Sequence, residues 1–301
     1  MLTFFTTAKP FEAHSAIIQR NALKSWRLLH EDLEVIVFGD EEGTAEVCAE
    51  FGFRHEPHVE RHESGMKYIN YIFERAQGIA RYDYLCYSNC DIVFTSDFWR
   101  AFEKVRVRIQ RPSLLIGKRW DADITEEICF SRLGWEVELK TLAFEKGRQR
   151  QFEIDYFLFT KGLLRNIPPL LNGRIYWDYW LVWKAGSSGA AVIDGSCAVP
   201  AVHQNHGYGY HPGGQTGVFE DELSLWNLEL AAKGKHLRTF EDATHLLTRS
   251  GRLLRTPLRR AFHNARRWGF HIFVHKTGGI RGRLGLNRAG VQKLFRRNRN
   301  G

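Results

Sequence analysis

The chain has 301 residues, 44% of them hydrophobic and 26% charged, which allows a substantial core and excludes wholesale disorder. No run approaches the ~20 consecutive apolar residues of a membrane-spanning helix, and Met1-Leu2-Thr3-Phe4-Phe5 lacks the basic start of a secretory leader. The net charge of +9 is unevenly placed: residues 249–301 hold 15 Lys and Arg and no acid, leaving 28 basic against 34 acidic residues in 1–248. The expected organisation is therefore a mildly acidic body over 1–248 and a basic tail over 249–301. Five scattered cysteines (48, 86, 90, 129 and 197) show no paired metal-ligand spacing, and they fit a reduced, cytoplasmic protein without disulfides.

Leu2 to Thr6 is an apolar, β-branched run that reads as a first strand, and Lys9-Pro10 closes it. Phe11 to Leu29 carries Ala13, Ala16, Ile17, Leu23, Trp26 and Leu29 near helical spacing. Leu33 to Phe38 predicts a second strand, ended by Gly39-Asp40. Thr44 to Phe51 reads as a helix and Phe53 to His55 as a short strand. Met66, Ile69, Ile72, Phe73 and Ala76 form one helix face, and strands are predicted at Tyr84 to Ser88 and Leu114 to Gly117. Residues 119–153 are charged and aromatic without clear period and predict an irregular excursion. Ile154 to Thr160, Ala190 to Ile193 and Val199 to Val202 read as strands, with helices at Trp177 to Lys184 and Asp221 to Ala232. A Gly- and His-rich loop, 203–217, precedes the last helix. This rhythm predicts an α/β fold, a mostly parallel Rossmann-like sheet sandwiched by helices.

Ligands of such a sheet bind beyond the carboxyl ends of its strands. Thr6, Thr7 and Lys9 follow the first strand there, Asp40 the second, and Asn89-Cys90-Asp91 the strand Tyr84 to Ser88. Turns and caps account for any one of these residues, but less easily for three groups at one edge. The glycine signatures of nicotinamide enzymes and P-loop NTPases are absent. A carboxylate such as Asp91 at a strand end suits Mn²⁺ or Mg²⁺, which complete their shells with water and phosphate oxygens. In Tyr176-Trp177-Asp178-Tyr179-Trp180, Asp178 is either a helix cap or an acid whose pKa its aromatic neighbours raise towards that of a general base.

With Asn89-Cys90-Asp91 standing where an Asp-x-Asp motif would be, the chain resembles the GT-A-fold glycosyltransferases, which use nucleotide-sugar donors. The likeness takes in the first-strand start, Val37-Phe38-Gly39-Asp40 and Glu63-Ser64-Gly65 with Lys67 and Asn70, and it extends over roughly the first 245 residues. It is closest to a group of bacterial glycosyltransferase-like proteins of unassigned specificity. The resemblance implies a nucleotide-sugar donor held near Thr6, Thr7, Lys9, Asp40, Lys67 and Asn89. It implies a Mn²⁺ or Mg²⁺ cofactor on Asp91 and a histidine near the last strands, His203 or His206, which spacing does not separate. It further implies Asp178 as the base of an inverting transfer to a glycan or lipid-linked acceptor, with Asp155, Tyr156, Trp177 and Trp180 on the acceptor side. Asn in place of the first Asp leaves one strong carboxylate ligand in the motif. Asp121 and Asp123 are candidates for a donor hydroxyl. The alternatives are a sugar-phosphate nucleotidyltransferase, which would need a Gly-rich basic turn where Thr6-Thr7-Ala8-Lys9-Pro10 stands, and a non-catalytic adaptor.

Leu254, Leu258, Ala261, Phe262, Ala265 and Trp268 recur at helical spacing among arginines and predict a basic amphipathic helix. Such a helix fits an anionic membrane surface, so peripheral attachment at the inner face of the cell membrane is expected. Nucleic-acid binding is not expected, because no RNA-binding signature accompanies the charge. Beyond about residue 278 the glycines and arginines predict disorder.

Overall fold

The computed structural model describes residues 1–207 and 221–257. The expected glycine-rich loop beyond Gly207 and the tail helix beyond Pro257 lie outside them. A nine-stranded sheet runs in the order β13-β12-β10-β6-β9-β4-β1-β2-β3. Its strands are β1 (Leu2–Thr7), β2 (Glu34–Phe38), β3 (Arg54–Glu56), β4 (Tyr84–Ser88), β6 (Ser113–Ile116), β9 (Tyr156–Thr160), β10 (Ala191–Asp194), β12 (His245–Leu247) and β13 (Leu253–Arg255). Five of its eight neighbouring pairs are parallel, and the antiparallel β9 sits between β4 and β6. The expected mixed, mostly parallel α/β sheet is what forms.

Strand alternation explains the layering. Side chains at i and i+2 share a face, so Leu2 and Phe4 point to one side and Phe5 to the other. On the first side they meet Ala22, Leu23 and Trp26 of α1 (Ala13–Arg27) and Phe98 and Phe102 of α4 (Ser96–Arg108). On the second, Phe5 meets Ile72 and Phe73 of α3 (Ile69–Ile79), in a layer that also holds Trp177, Trp180 and Leu181 of α6 (Trp177–Ser187). Both faces of β4 are covered, so Leu85, Cys86 and Tyr87 are all buried. Two shorter helices, α2 (Thr44–Phe51) and α7 (Glu222–Leu230), lie at the positions their periodicity predicts. The helix α4 was not anticipated, although Phe98, Ala101, Phe102 and Val105 make a buried stripe at 3.6-residue period.

Residues 119–153 depart from the expectation of irregularity. They contribute β7 (Lys118–Ala122), α5 (Trp135–Thr141), one π-helical turn over Leu142–Lys146 and the start of β8 (Arg148–Ile154). With β5 (Ile92–Val93) and β11 (Ala201–Gln204), β7 and β8 form a second sheet in the order β5-β11-β7-β8. Its own small core contains Val93, Ala122, Ile124, Leu139, Ala143 and Val202. At the other end of the chain, β13 pairs with β12 from Leu247↔Leu253 to His245↔Arg255. The body thus continues to Thr256 rather than ending at 248, and Leu254 lies on a strand, not on the expected helix. All five cysteines are free.

Candidate active site

The chain leaves β4 at Ser88 and turns through Asn89, Cys90 and Asp91 before entering β5. Asn89 N–H donates to the Asp155 carbonyl at 2.9 Å, which fixes the start of the turn. The Asp91 carbonyl accepts from both the backbone N–H and the side-chain amide of Gln204, each at 3.2 Å. Gln204 is fully buried, donates to the Ile18 carbonyl at 2.7 Å and accepts from Asn21 at 2.9 Å. This clamp ties the Asp91 backbone to β11, the strand that carries His203 and leads to His206. His206 Nε2 lies 3.1 Å and His203 Nε2 3.7 Å from Asp91 Oδ2, and ligand atoms of the three residues all fall within 4.8 Å of one another. Lys9 Nζ is 3.4 Å from His206 Nε2.

Burial pushes the Asp91 carboxyl up, but His203, His206 and Lys9 outweigh it and hold the group far below the usual range, so it is ionised. Its Oδ1 is buried and accepts no hydrogen bond from the described residues. An ionised oxygen without a donor is costly unless a cation meets it. One carboxylate and two imidazoles form a suitable donor set for a divalent ion, with Mn²⁺ favoured over Mg²⁺ by the nitrogen ligands. The residues fit the ion.

Behind this cluster lies a buried charge network. Arg119 Nε contacts Asp121 Oδ1 at 2.8 Å, and its Nη1 reaches both Asp155 oxygens at 3.1 Å. Asp155 also accepts from Asn89 Nδ2 at 2.6 Å. Arg150 Nε lies 3.3 Å from Asp121 Oδ2, and His203 Nδ1 lies 3.1 Å from Asp121 Oδ1. Desolvation works against the Asp121 charge, yet His203, Arg119 and Arg150 hold its carboxyl below the ordinary value.

Asp178 occupies the first turn of α6, after Tyr176 at φ +86°. A bulky residue in the left-handed region is strained, and this one fixes where the helix begins. Desolvation drives the Asp178 carboxyl up to about 7, against backbone N–H groups that favour its charge and with help from the charges of Asp155 and Glu153. Asp155 thus links the two parts of the site: it bonds the residue two ahead of Asp91 and acts electrostatically on Asp178.

The remaining expected donor residues fall into different settings. Thr6 is buried and points its hydroxyl at the Thr7 carbonyl, while Thr7 Oγ1 accepts from Asn172 at 2.9 Å. Lys67 is buried, paired with Glu41 at 2.7 Å and bonded to the Ala8 carbonyl at 3.2 Å. Asp40 is exposed and paired with Arg61 at 2.6 Å. Of the expected acceptor residues, none presents a free surface. Tyr156, Trp177 and Trp180 are buried; Tyr156 packs its hydroxyl against Gly117, and Trp177 packs edge-on against Tyr87. Asp155 is buried and committed to Arg119 and Asn89. The three aromatic residues belong to the apolar layers of the fold, and Asp155 belongs to the charge network. Asp123 is exposed and accepts from Asn205 at 2.7 Å.

Arg119 and Arg150 were missed as site residues, and Asp121 is engaged by His203 rather than open to a donor hydroxyl. The signal was present in Arg119-Trp120-Asp121, whose alternation puts both charges on one strand face, but a strand there was not recognised.

No protein-family model and no curated protein matches the chain. Among solved structures it is similar to glucosyl-3-phosphoglycerate synthase from Mycobacterium tuberculosis, determined in complex with Mn²⁺, UDP and glucosyl-3-phosphoglycerate. That likeness is 14% identity over 79% of this chain and 81% of the other, with a TM-score of 0.48. The same enzyme determined with Mg²⁺ and UDP aligns at 14% identity over 68% and 72%, TM-score 0.43. TarS 1-349 of S. aureus aligns at 11% identity over 68% of this chain and 57% of its own, TM-score 0.40. At that distance these neighbours carry no argument about what this chain binds.

Proposed function

We propose that the protein is a glycosyltransferase that moves a sugar from a nucleoside-diphosphate donor to an acceptor hydroxyl, with inversion and with a divalent cation. The observation that carries the reading is the Asp91–His203–His206 cluster, whose buried Oδ1 has no donor among the described residues, at the carboxyl edge of the sheet where such folds bind ligands. Asp91 and the two histidines would hold the ion, and a bound Mn²⁺ would neutralise charge developing on the diphosphate leaving group. Lys9, exposed beside His206, adds a fixed positive charge at the same place. Asp178 takes the acceptor hydroxyl proton as that oxygen bonds to the anomeric carbon and the bond to the diphosphate breaks. Its carboxyl, raised to about 7, is basic enough for the task and still ionised in useful amounts at neutral pH. Lys67, Asp40, Thr6 and Thr7 line the edge on which the nucleoside would lie, with Asn89 acting through Asp155. The acceptor class is a glycan or lipid-linked sugar, and the basic segment from Arg249 onward would dock on an anionic membrane.

Slow hydrolysis of the donor needs no acceptor, so a panel of nucleotide sugars incubated with and without Mn²⁺ tests the reading. Mn²⁺-stimulated release of nucleoside diphosphate from one member, lost in Asp91→Asn, is the expected result. Hydrolysis indifferent to Mn²⁺, or unchanged in the variant, overturns it.

A further inference from the structure

One of the two nitrogens of His203 is selected by its surroundings. β7 and β11 run parallel with His203 opposite Asp121, so the two side chains share a face of the small sheet. Asp121 Oδ1 lies 3.1 Å from His203 Nδ1, while the opposite ring nitrogen, Nε2, faces Asp91 Oδ2 at 3.7 Å. The contact with Asp121 is close, though it is not aligned as a hydrogen bond. Asp121 is itself restrained from two strands: Arg119 of β7 at 2.8 Å and Arg150 of β8 at 3.3 Å. Arg119 is buried and anchored to Asp155, so the carboxylate has little freedom to turn away.

A neutral imidazole carries one proton, and the nitrogen that holds it cannot bind a cation. A carboxylate only accepts, and Asp121 lies nearer to Nδ1, at 3.1 Å, than Asp91 does to Nε2, at 3.7 Å, so the proton is drawn to Nδ1. We propose that Asp121 is a positioning residue, which holds His203 as its Nδ1–H tautomer and leaves the Nε2 lone pair aimed at the cation position beside Asp91. The proposal rests on the metal-site reading above and adds to it an outer carboxylate that touches neither donor nor acceptor. It gives the Arg119–Asp121–Arg150 network a purpose: two arginines keep the carboxylate pointed at one imidazole. Outer partners of this kind orient metal-bound histidines generally, and their loss typically weakens metal binding about 10–100-fold.

Two measurements on the full chain test it. Proton–nitrogen correlation NMR of the wild-type protein reads the His203 tautomer directly. His203→Gln supplies the assignment. An Nδ1–H signal is expected, and an Nε2–H signal overturns the proposal whatever any variant does. The second is an electron paramagnetic resonance titration with Mn²⁺ alone, comparing wild type, Asp121→Asn and Asp121→Glu. Asp121→Asn should bind Mn²⁺ about 10–100-fold more weakly and lose the single His203 tautomer, with Asp121→Glu recovering part of both. Wild-type binding that Asp121→Asn leaves unchanged overturns the positioning role and spares the metal site. A wild-type chain that takes up no Mn²⁺ overturns both.

Discussion

At the scale of single residues, Asp178 carries a cost that its proposed role explains. An acid in the first turn of a helix is ordinarily favourable, because the helix dipole and free N–H groups stabilise its charge. Here burial wins, and the carboxyl rises to about 7. The unfolded chain releases that proton near pH 4, so between about pH 4 and 7 the native state holds more protons than the unfolded one. Stability from this group is therefore intact below that window and lost as pH rises through it. Asp178→Asn should melt higher than wild type at about pH 8 by up to a few kcal/mol, and the two should converge near pH 4. Calorimetry at the two pH values checks this. The same substitution should keep donor binding and lose transfer by about 10²–10⁴-fold, and the wild-type kcat/KM should rise with pH and level off above about 7. A variant within a few-fold of wild type, or a flat profile across that range, removes Asp178 from the chemistry. The sequence pointed to Asp178 because one acid among four aromatics is conspicuous. It misread Trp177 and Trp180 for the same reason, since composition does not tell which rings face the core.

Among the elements, the small sheet decides where the charged groups meet. Gln204 ends β11 and satisfies Asn21, the Ile18 carbonyl and the Asp91 carbonyl at once, all of them buried or nearly so. Gln204→Ala would remove three side-chain hydrogen bonds, at about 0.5–1.5 kcal/mol each, while the backbone N–H of residue 204 still reaches the Asp91 carbonyl and Asn21 still donates to the Glu126 carbonyl. Urea unfolding should show a loss of a few kcal/mol, and Mn²⁺ binding should weaken because one of the two bonds from β11 to the Asp91 carbonyl is gone. Unchanged stability would mean that solvent enters the clamp. The main sheet was legible because β1, β2 and β4 are short, apolar and closed by turn residues. β7 and β8 were not, because Lys118–Ala122 and Arg148–Ile154 are mostly polar and derive their strand character from pairing with β11 and each other. Strand pairing is a tertiary fact, and it brought Asp121 beside His203 across a gap of more than eighty residues.

For the whole molecule, the two sheets bring Lys9, Asp91, His203 and His206 together from segments spread along the chain. The charge division drew the eye to 249 as a boundary, whereas hydrogen bonding continues through β13, and Leu253 packs against the main core. Two truncations separate charge from packing. Ending the chain after Thr256 should preserve melting and donor hydrolysis while removing twelve of the fifteen basic residues of 249–301. Ending it after Thr248 should destabilise the body, since β12 loses β13 and keeps only β10 as a neighbour. Co-sedimentation of the full chain with anionic vesicles, lost on truncation after Thr256, is the expected result for a membrane-docking tail; about 1 kcal/mol per basic residue near the surface makes a handful sufficient. Full-length protein that ignores such vesicles contradicts that role without touching the catalytic reading.

The central claim is that Asp91, His203 and His206 hold a divalent cation on a nucleoside diphosphate. Calorimetric titration with UDP and GDP, in Mn²⁺ and in chelator, for wild type and Asp91→Asn, tests it most directly. The account predicts that one diphosphate binds the wild-type protein tightly only in Mn²⁺, and that Asp91→Asn loses this Mn²⁺-dependent gain while melting as a folded protein. Binding that is equal with and without Mn²⁺, or equal in the two proteins, would contradict it.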